Sequence, residues 1–210
     1  MFQRDAYALI ALALAGVVFT LYAVIGSTPF FPRSLQLQSG ICPASDDYPA
    51  ERRRVMDASE AEWYSSGLFS LHEQPLFPDR DRPLQTVRFT LLRSFHAPLT
   101  VRTTDLKDGR LRLQATLAPG PDGCPEDKDD CRIDRVLTQT EQARVARAQS
   151  LLETDTYGCA TGIDGSMWLV EASWRGDYRF WSEWSPRHGE LRDLALVMID
   201  LTGWELKEID

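Results

Sequence analysis

The sequence predicts an α+β protein: an amino-terminal transmembrane helix, then one domain with an antiparallel sheet of two hairpins covered on one face by helices. Three observations predict it. Residues 6–26 form an uncharged apolar run, period-two alternation recurs over Val87–Leu117 and Trp168–Trp184, and capping spacings with a carboxy-terminal apolar stripe mark helices.

No charge occurs between Asp5 and Arg33. About 20 apolar residues at roughly 1.5 Å each span a hydrocarbon core of about 30 Å. The run lacks the polar stripe of a helix that meets water on one side. Residues 1–26 therefore read as a signal anchor. Its apolar core is longer than the roughly 7–15 residues of a cleaved signal, and Val24-Ile25-Gly26 is a poor cleavage site. Retention is expected, with a cleaved, secreted or periplasmic protein as the alternative. Because the amino-terminal stub is short, everything after Gly26 is expected to be exported. The expected location is the bacterial inner membrane, single-pass, with the carboxy-terminal domain in the periplasm.

Composition agrees with a bacterial source. The chain has no asparagine and sets Lys107, Lys128 and Lys207 against a large excess of arginine, the bias of a G/C-rich genome. A net charge of −8 argues against nucleic acid as a partner. The four cysteines, Cys42, Cys124, Cys131 and Cys159, all follow the apolar run. An even number in an exported chain reads as disulfides. Cys124 and Cys131 bracket a short acidic loop, and Cys42 with Cys159 would pin the stretch after the anchor to the core. No C-x-x-C occurs and histidines are scarce, so no metal site and no cofactor are expected.

Residues 27–49, with several prolines and Gly40, read as a linker, and residues 50–210 as the domain. Asp57-Ala58-Ser59-Glu60 has capping-box spacing and opens a helix to about Leu71 with Tyr64, Leu68 and Leu71 on one face. Val87, Phe89, Leu91, Phe95, Ala97, Leu99 and Val101 are apolar at odd positions, a half-buried strand interrupted near Pro98. Leu111, Leu113, Ala115 and Leu117 continue the parity. An odd loop keeps these on one face, so Lys107-Asp108-Gly109 predicts a three-residue hairpin pairing Val101 with Ala115 and Leu99 with Leu117.

Ile133–Leu137 reads as a further strand, and Thr138-x-x-Glu141 caps a helix to about Leu152. In the second hairpin, a turn of Arg175-Gly176-Asp177 pairs Trp174 with Tyr178 and Trp168 with Trp184. Leu191, Leu194, Ala195, Met198 and Leu201 then form one helical stripe, stopped by Gly203.

Chemistry is thin. Ser94 and His96 share a strand face, but no Gly-x-Ser-x-Gly elbow is present. Glu126, Asp127, Asp129 and Asp130 lack the EF-hand pattern. The tripeptide Arg175-Gly176-Asp177 is explained by glycine at a turn. The aromatic density of the second hairpin is the strongest signal. On its outer face, Trp181 among Arg179 and Glu183, with Glu171 across from them, reads as a binding anchor.

The strand Phe89–Arg102 is similar to one in uncharacterised, amino-terminally anchored bacterial envelope proteins. So is the pattern Asp164-Gly165-x-x-Trp168-x-x-Glu171, Tyr178, Trp184-Ser185-Pro186 before an apolar helix. The resemblance covers roughly Asp57 to Gly203, implies the same architecture, and assigns no activity or catalytic residue.

The expectation is a membrane-anchored periplasmic binding module, an inhibitor, immunity protein or scaffold. It is held to the membrane by residues 6–26 and partnered by another envelope protein. The alternatives are a periplasmic hydrolase using His96 with Ser94 or a nearby carboxylate, and a small-ligand sensor with a pocket beneath the hairpin.

Overall fold

The computed structural model describes residues 30–44, 49–77, 84–125, 131–159, 162, 164–206 and 209. Its elements are β1 (Ser39–Cys42), β2 (Glu51–Arg54), α1 (Ala58–Ser70), β3 (Thr86–Arg93), β4 (Leu99–Asp105), β5 (Leu111–Leu117) and β6 (Arg132–Val136). Then come α2 (Gln139–Arg147), β7 (Tyr157–Cys159), β8 (Ser166–Trp174), β9 (Asp177–Trp184) and α3 (Glu190–Asp200). Strands β3 to β9 form one sheet in the order β6-β5-β4-β3-β8-β9-β7, and β1 and β2 form a separate ribbon. The β7–β9 pair is parallel and the other pairs are antiparallel.

This corrects the expected fold in three respects. The sheet has seven strands and is mixed rather than a pair of antiparallel hairpins. Both of its faces are covered. Finally, among the described residues no helix is long and apolar enough to cross a membrane. The run 6–26 that carried the anchor lies outside the described residues. The single-pass inner-membrane placement falls with it. Two disulfides, Cys42–Cys159 and Cys124–Cys131, instead give the location its chemistry, since such bonds persist in oxidising compartments.

The first face is the one the alternation pointed to. Val87, Phe89, Leu91, Leu99, Val101, Leu113, Ala115 and Leu117 meet Val145 of α2 and the stripe Leu191, Leu194, Ala195 and Met198 of α3. The first hairpin has the expected register, Val101 on Ala115 and Leu99 on Leu117. Gly109 supplies the left-handed residue of its turn at φ +81°. The apolar run 87–101 is two strands rather than one bent strand. It folds back between Arg93 and Leu99, where the Arg93 guanidinium donates to the Ala97 carbonyl and, through Nη2, to that of Asp122. Leu91 still pairs with Leu99, so parity survives the reversal. Phe95, on the turn, is 68% exposed and leaves the apolar set.

Capping boxes start α1 and α2 as their spacings predict. Asp57 and Glu60 exchange backbone-to-carboxylate bonds of 2.7 and 2.8 Å. The Thr138 N–H donates to Glu141 Oε2 at 2.7 Å and the Glu141 N–H to the Thr138 hydroxyl at 3.3 Å, and Arg135 with this cap holds the Glu141 carboxyl down at about 2.

The second face is covered by α1 together with residues 30–36. Phe30, Phe31 and Leu35, from the stretch read as a linker, pack with Tyr64 and Leu68 on Leu92, Met167, Leu169 and Phe180. Further along this face lies a charged network. Arg88 is 0% exposed. Its Nε donates to Glu171 Oε2 at 2.7 Å and its Nη1 to Glu73 Oε2 at 3.2 Å and the Gln74 carbonyl at 2.7 Å. Arg102 and Thr100 also bond Glu73, and the Tyr178 hydroxyl donates to Glu171 Oε1 at 2.8 Å. Glu171 and Glu73 keep the Arg88 guanidinium charged against the opposing effect of burial.

Removing one partner of such a pair leaves a buried charge uncompensated and costs about 3–5 kcal/mol. Arg88→Met and Glu171→Leu are each expected to lose that much in urea unfolding. The double variant is expected to recover most of it, because the remaining surfaces are apolar and similar in volume.

Candidate functional site

The second hairpin decides where the expected anchor residues go. Its turn has two residues, Arg175 and Gly176, both left-handed at φ +49° and +83°, the type I′ form that matches strand twist. The register is therefore Trp174 on Asp177, Val170 on Trp181 and Trp168 on Glu183. The expected pairs Trp174–Tyr178 and Trp168–Trp184 are each displaced by one residue. A slip of one residue sends every β9 side chain to the other face.

Trp181 is accordingly core, 0% exposed, with its indole N–H donating to Thr154 Oγ1 and the Asp155 carbonyl, both at 3.0 Å. Glu171, also 0% exposed, is the buried partner of Arg88. Arg179 bonds Asp177 and the Leu152 carbonyl. The proposed exposed anchor is thus dismantled: Trp181 and Glu171 occupy opposite faces of the sheet, and both faces are dry. The Arg-Gly-Asp tip is engaged within itself, with Arg175 4.8 Å over the Trp174 ring and Asp177 bonded to Arg179.

Of the other expected chemistry, His96 Nδ1 lies 3.0 Å from Asp122 Oδ2, and Ser94 Oγ accepts from the Gly165 N–H at 3.3 Å. Glu126–Asp130 lie outside the described residues. No cluster of potential metal ligands occurs among the described residues.

Of the expected anchor residues, Glu183 lines a large cleft. The cleft is about 1430 Å³ and is built at the β7 edge of the sheet. One wall is the β1–β2 ribbon, paired from Ser39–Arg54 to Cys42–Glu51. Two glycines let it lie flat against β7. A Cβ on Gly40 would come 2.4 Å from the Thr156 carbonyl oxygen, and one on Gly158 would overlap that of Val55. The Cys42–Cys159 disulfide fixes the contact. It closes a separation of 117 residues, for which chain entropy gives a stabilisation of about 4–5 kcal/mol. The other wall is the end of β9, the Ser185–Gly189 loop and the start of α3.

Parallel pairing places Tyr157 opposite Trp181 and Cys159 opposite Glu183. Tyr157 and Glu183 thus share the first face, where the core runs out into the cleft. The Tyr157 hydroxyl donates to Glu183 Oε1 at 2.5 Å. Burial pushes the Glu183 carboxyl up, and the Tyr157 hydroxyl and His188 only partly draw it back. Burial and the Glu183 charge together push the Tyr157 phenol up. A carboxyl with a raised pKa in the wall of a large concavity is a frequent mark of a working site.

Tyr157 and His188 were absent from the residues expected on sequence grounds. Their signal was indirect: a Cys42–Cys159 bond necessarily brings the ribbon onto the strand that holds Tyr157.

Because the folded state raises the Glu183 pKa, it binds the proton more tightly than the unfolded chain does. The charge therefore costs stability above the folded-state pKa, and the cost vanishes as pH falls towards the ordinary value of 4.5. Glu183→Gln is expected to melt a few degrees above wild type at neutral pH, with the gap closing on acidification in calorimetric scans. No protein-family model matches this chain, and no curated protein matches it either.

Proposed function

We propose that this protein is a binding module of an oxidising compartment, and that it takes an extended segment of a partner protein in the cleft beside Glu183. The observation that carries this is the size and lining of the cleft. Pockets for small molecules enclose about 300–1,000 Å³, and this one exceeds that range. It runs between a ribbon and a loop, lined by apolar groups such as Ile41 and Pro43 and by charges of both signs, Glu51, Arg52, Asp155 and Arg187. Such a lining suits a polypeptide, whose backbone and side chains offer both kinds of group along their length. A wall pinned covalently by Cys42–Cys159 also favours binding without large rearrangement, which keeps the entropic cost of association low.

Selection of random displayed peptides on the immobilised protein tests this. Ser39 and Glu190 are exposed positions on opposite walls, so Ser39→Trp and Glu190→Trp narrow the cleft from either side. Enriched peptides are expected to lose about tenfold or more in affinity, roughly 1.4 kcal/mol, for each variant. A failure to enrich, or full affinity for both narrowed variants, would count against the reading.

A further inference from the structure

We propose that the segment bound in the cleft presents a lysine or arginine side chain to Glu183. This rests on the peptide-binding reading above and adds the identity of the group that is recognised.

The case comes from comparing two carboxylates on neighbouring strands, one fully buried and one partly buried at the cleft. Glu171 of β8 is fully enclosed and has a permanent cation against it, since Arg88 contacts it at 2.7 Å. Tyr178 supplies its second oxygen with a hydroxyl. Glu183 of β9 has a matching hydroxyl, from Tyr157 on Oε1. Among the described residues, no arginine or lysine stands where Arg88 stands for Glu171. The cationic influence on Glu183 is that of the His188 imidazole.

The arginines that line the cleft do not fill this place. Arg192 donates to the Pro186 carbonyl at 2.7 Å and lies 5.2 Å over the Trp168 ring. Arg52 stands on the ribbon, paired with Ile41, and neither it nor Arg187 is among the charges acting on Glu183. Taking a carboxylate out of water without a counter-charge is unfavourable, and folds generally answer it from within, as this one does at Glu171. Glu183 lines a cleft wide enough to admit a counter-ion from outside. A lysine ammonium or an arginine guanidinium on a bound segment completes the arrangement that Arg88 makes internally. Truncating one half of a desolvated charge pair at an interface costs about 2–5 kcal/mol, so the contact is large enough to direct recognition.

The test uses the full-length protein and four octapeptides of Gly, Ser and Ala with a central Arg, Lys, norleucine or Glu, titrated by calorimetry. Arg and Lys peptides are expected to bind about tenfold or more tighter than norleucine, which differs from Lys in lacking the charge. The Glu peptide is expected to bind weakest. Glu183→Gln should erase the preference, bringing the Arg and Lys peptides to the affinity of the norleucine peptide measured on the same variant. Should that variant fail to fold, Glu183→Asp, which withdraws the carboxylate by one methylene, has to narrow the same preference. Butylamine and methylguanidinium form a separate arm, and binding as tight as that of the peptides would overturn the polypeptide source.

If all four peptides bind alike and Ser39→Trp weakens them together, the cation inference falls and the peptide-binding reading stands. If none binds, both fall.

Discussion

The constraint on which this structure depends is that β3 and β8 are dry on both sides. All eight residues of β3 are buried, as are eight of the nine in β8. Antiparallel sheets commonly leave one face in water and then read as a clean alternation. Here α2 and α3 close one face, and α1 with residues 30–36 closes the other. Polar residues at even positions of β3 are consequently not solvated. Arg88 and Thr90 are buried outright, and a buried arginine has to be answered by carboxylates. The Arg88–Glu171–Glu73 network follows from that enclosure. It also gives the β3–β8 pair a preferred register, because Arg88 stands directly opposite Glu171.

The same constraint separates what the sequence could reveal from what it could not. Local rules worked where only local chemistry was at issue: both capping boxes, the turn at Gly109 and the α3 stripe are present as read. The pairing of the four cysteines was not fixed by spacing, since three pairings were open; the structure has Cys124–Cys131 closing its short loop and Cys42 bonded to Cys159. The second hairpin misled for a physical reason. Assigning its turn by parity assumes that apolar residues must share one face, which is true only if the other face is wet. With both faces covered, Tyr178, Phe180 and Trp184 find apolar or hydrogen-bonding neighbours on the second face while Trp181 takes the first. A left-handed Arg175 is then tolerated for the sake of eight paired residues. Alternation in the sequence is silent about a second layer when that layer comes from α1 and from a proline-containing stretch with little periodicity of its own.

The cleft belongs to the same class of information. No motif announces it, because it is formed by three segments far apart in sequence: the ribbon near residue 40, β7 near residue 158 and the β9–α3 loop near residue 185. What brings them together is a disulfide and two glycines, each readable alone but meaningful only once the partner surface is known. Gly158 has to lack a side chain because the Val55 carbonyl occupies that space, and Val55 follows the last residue of β2 directly.

Glu171 and Glu183 show why burial by itself does not separate structure from function. Each is a glutamate on a central hairpin of the sheet, each accepts a tyrosine hydroxyl, and burial raises the pKa of each. They differ in what completes them. An internal arginine makes Glu171 part of the fold, so altering it loosens the sheet. Among the described residues no arginine stands so against Glu183, which opens on a cavity, and the fold bears a cost there that these residues do not recover. Natural proteins accept such costs at sites that act on other molecules, which is why gains in stability at those sites tend to come with losses in activity. The proposed site therefore lies where the end of β9 meets the sheet edge pinned by Cys42 and Cys159, rather than on the outer aromatic face that the sequence suggests.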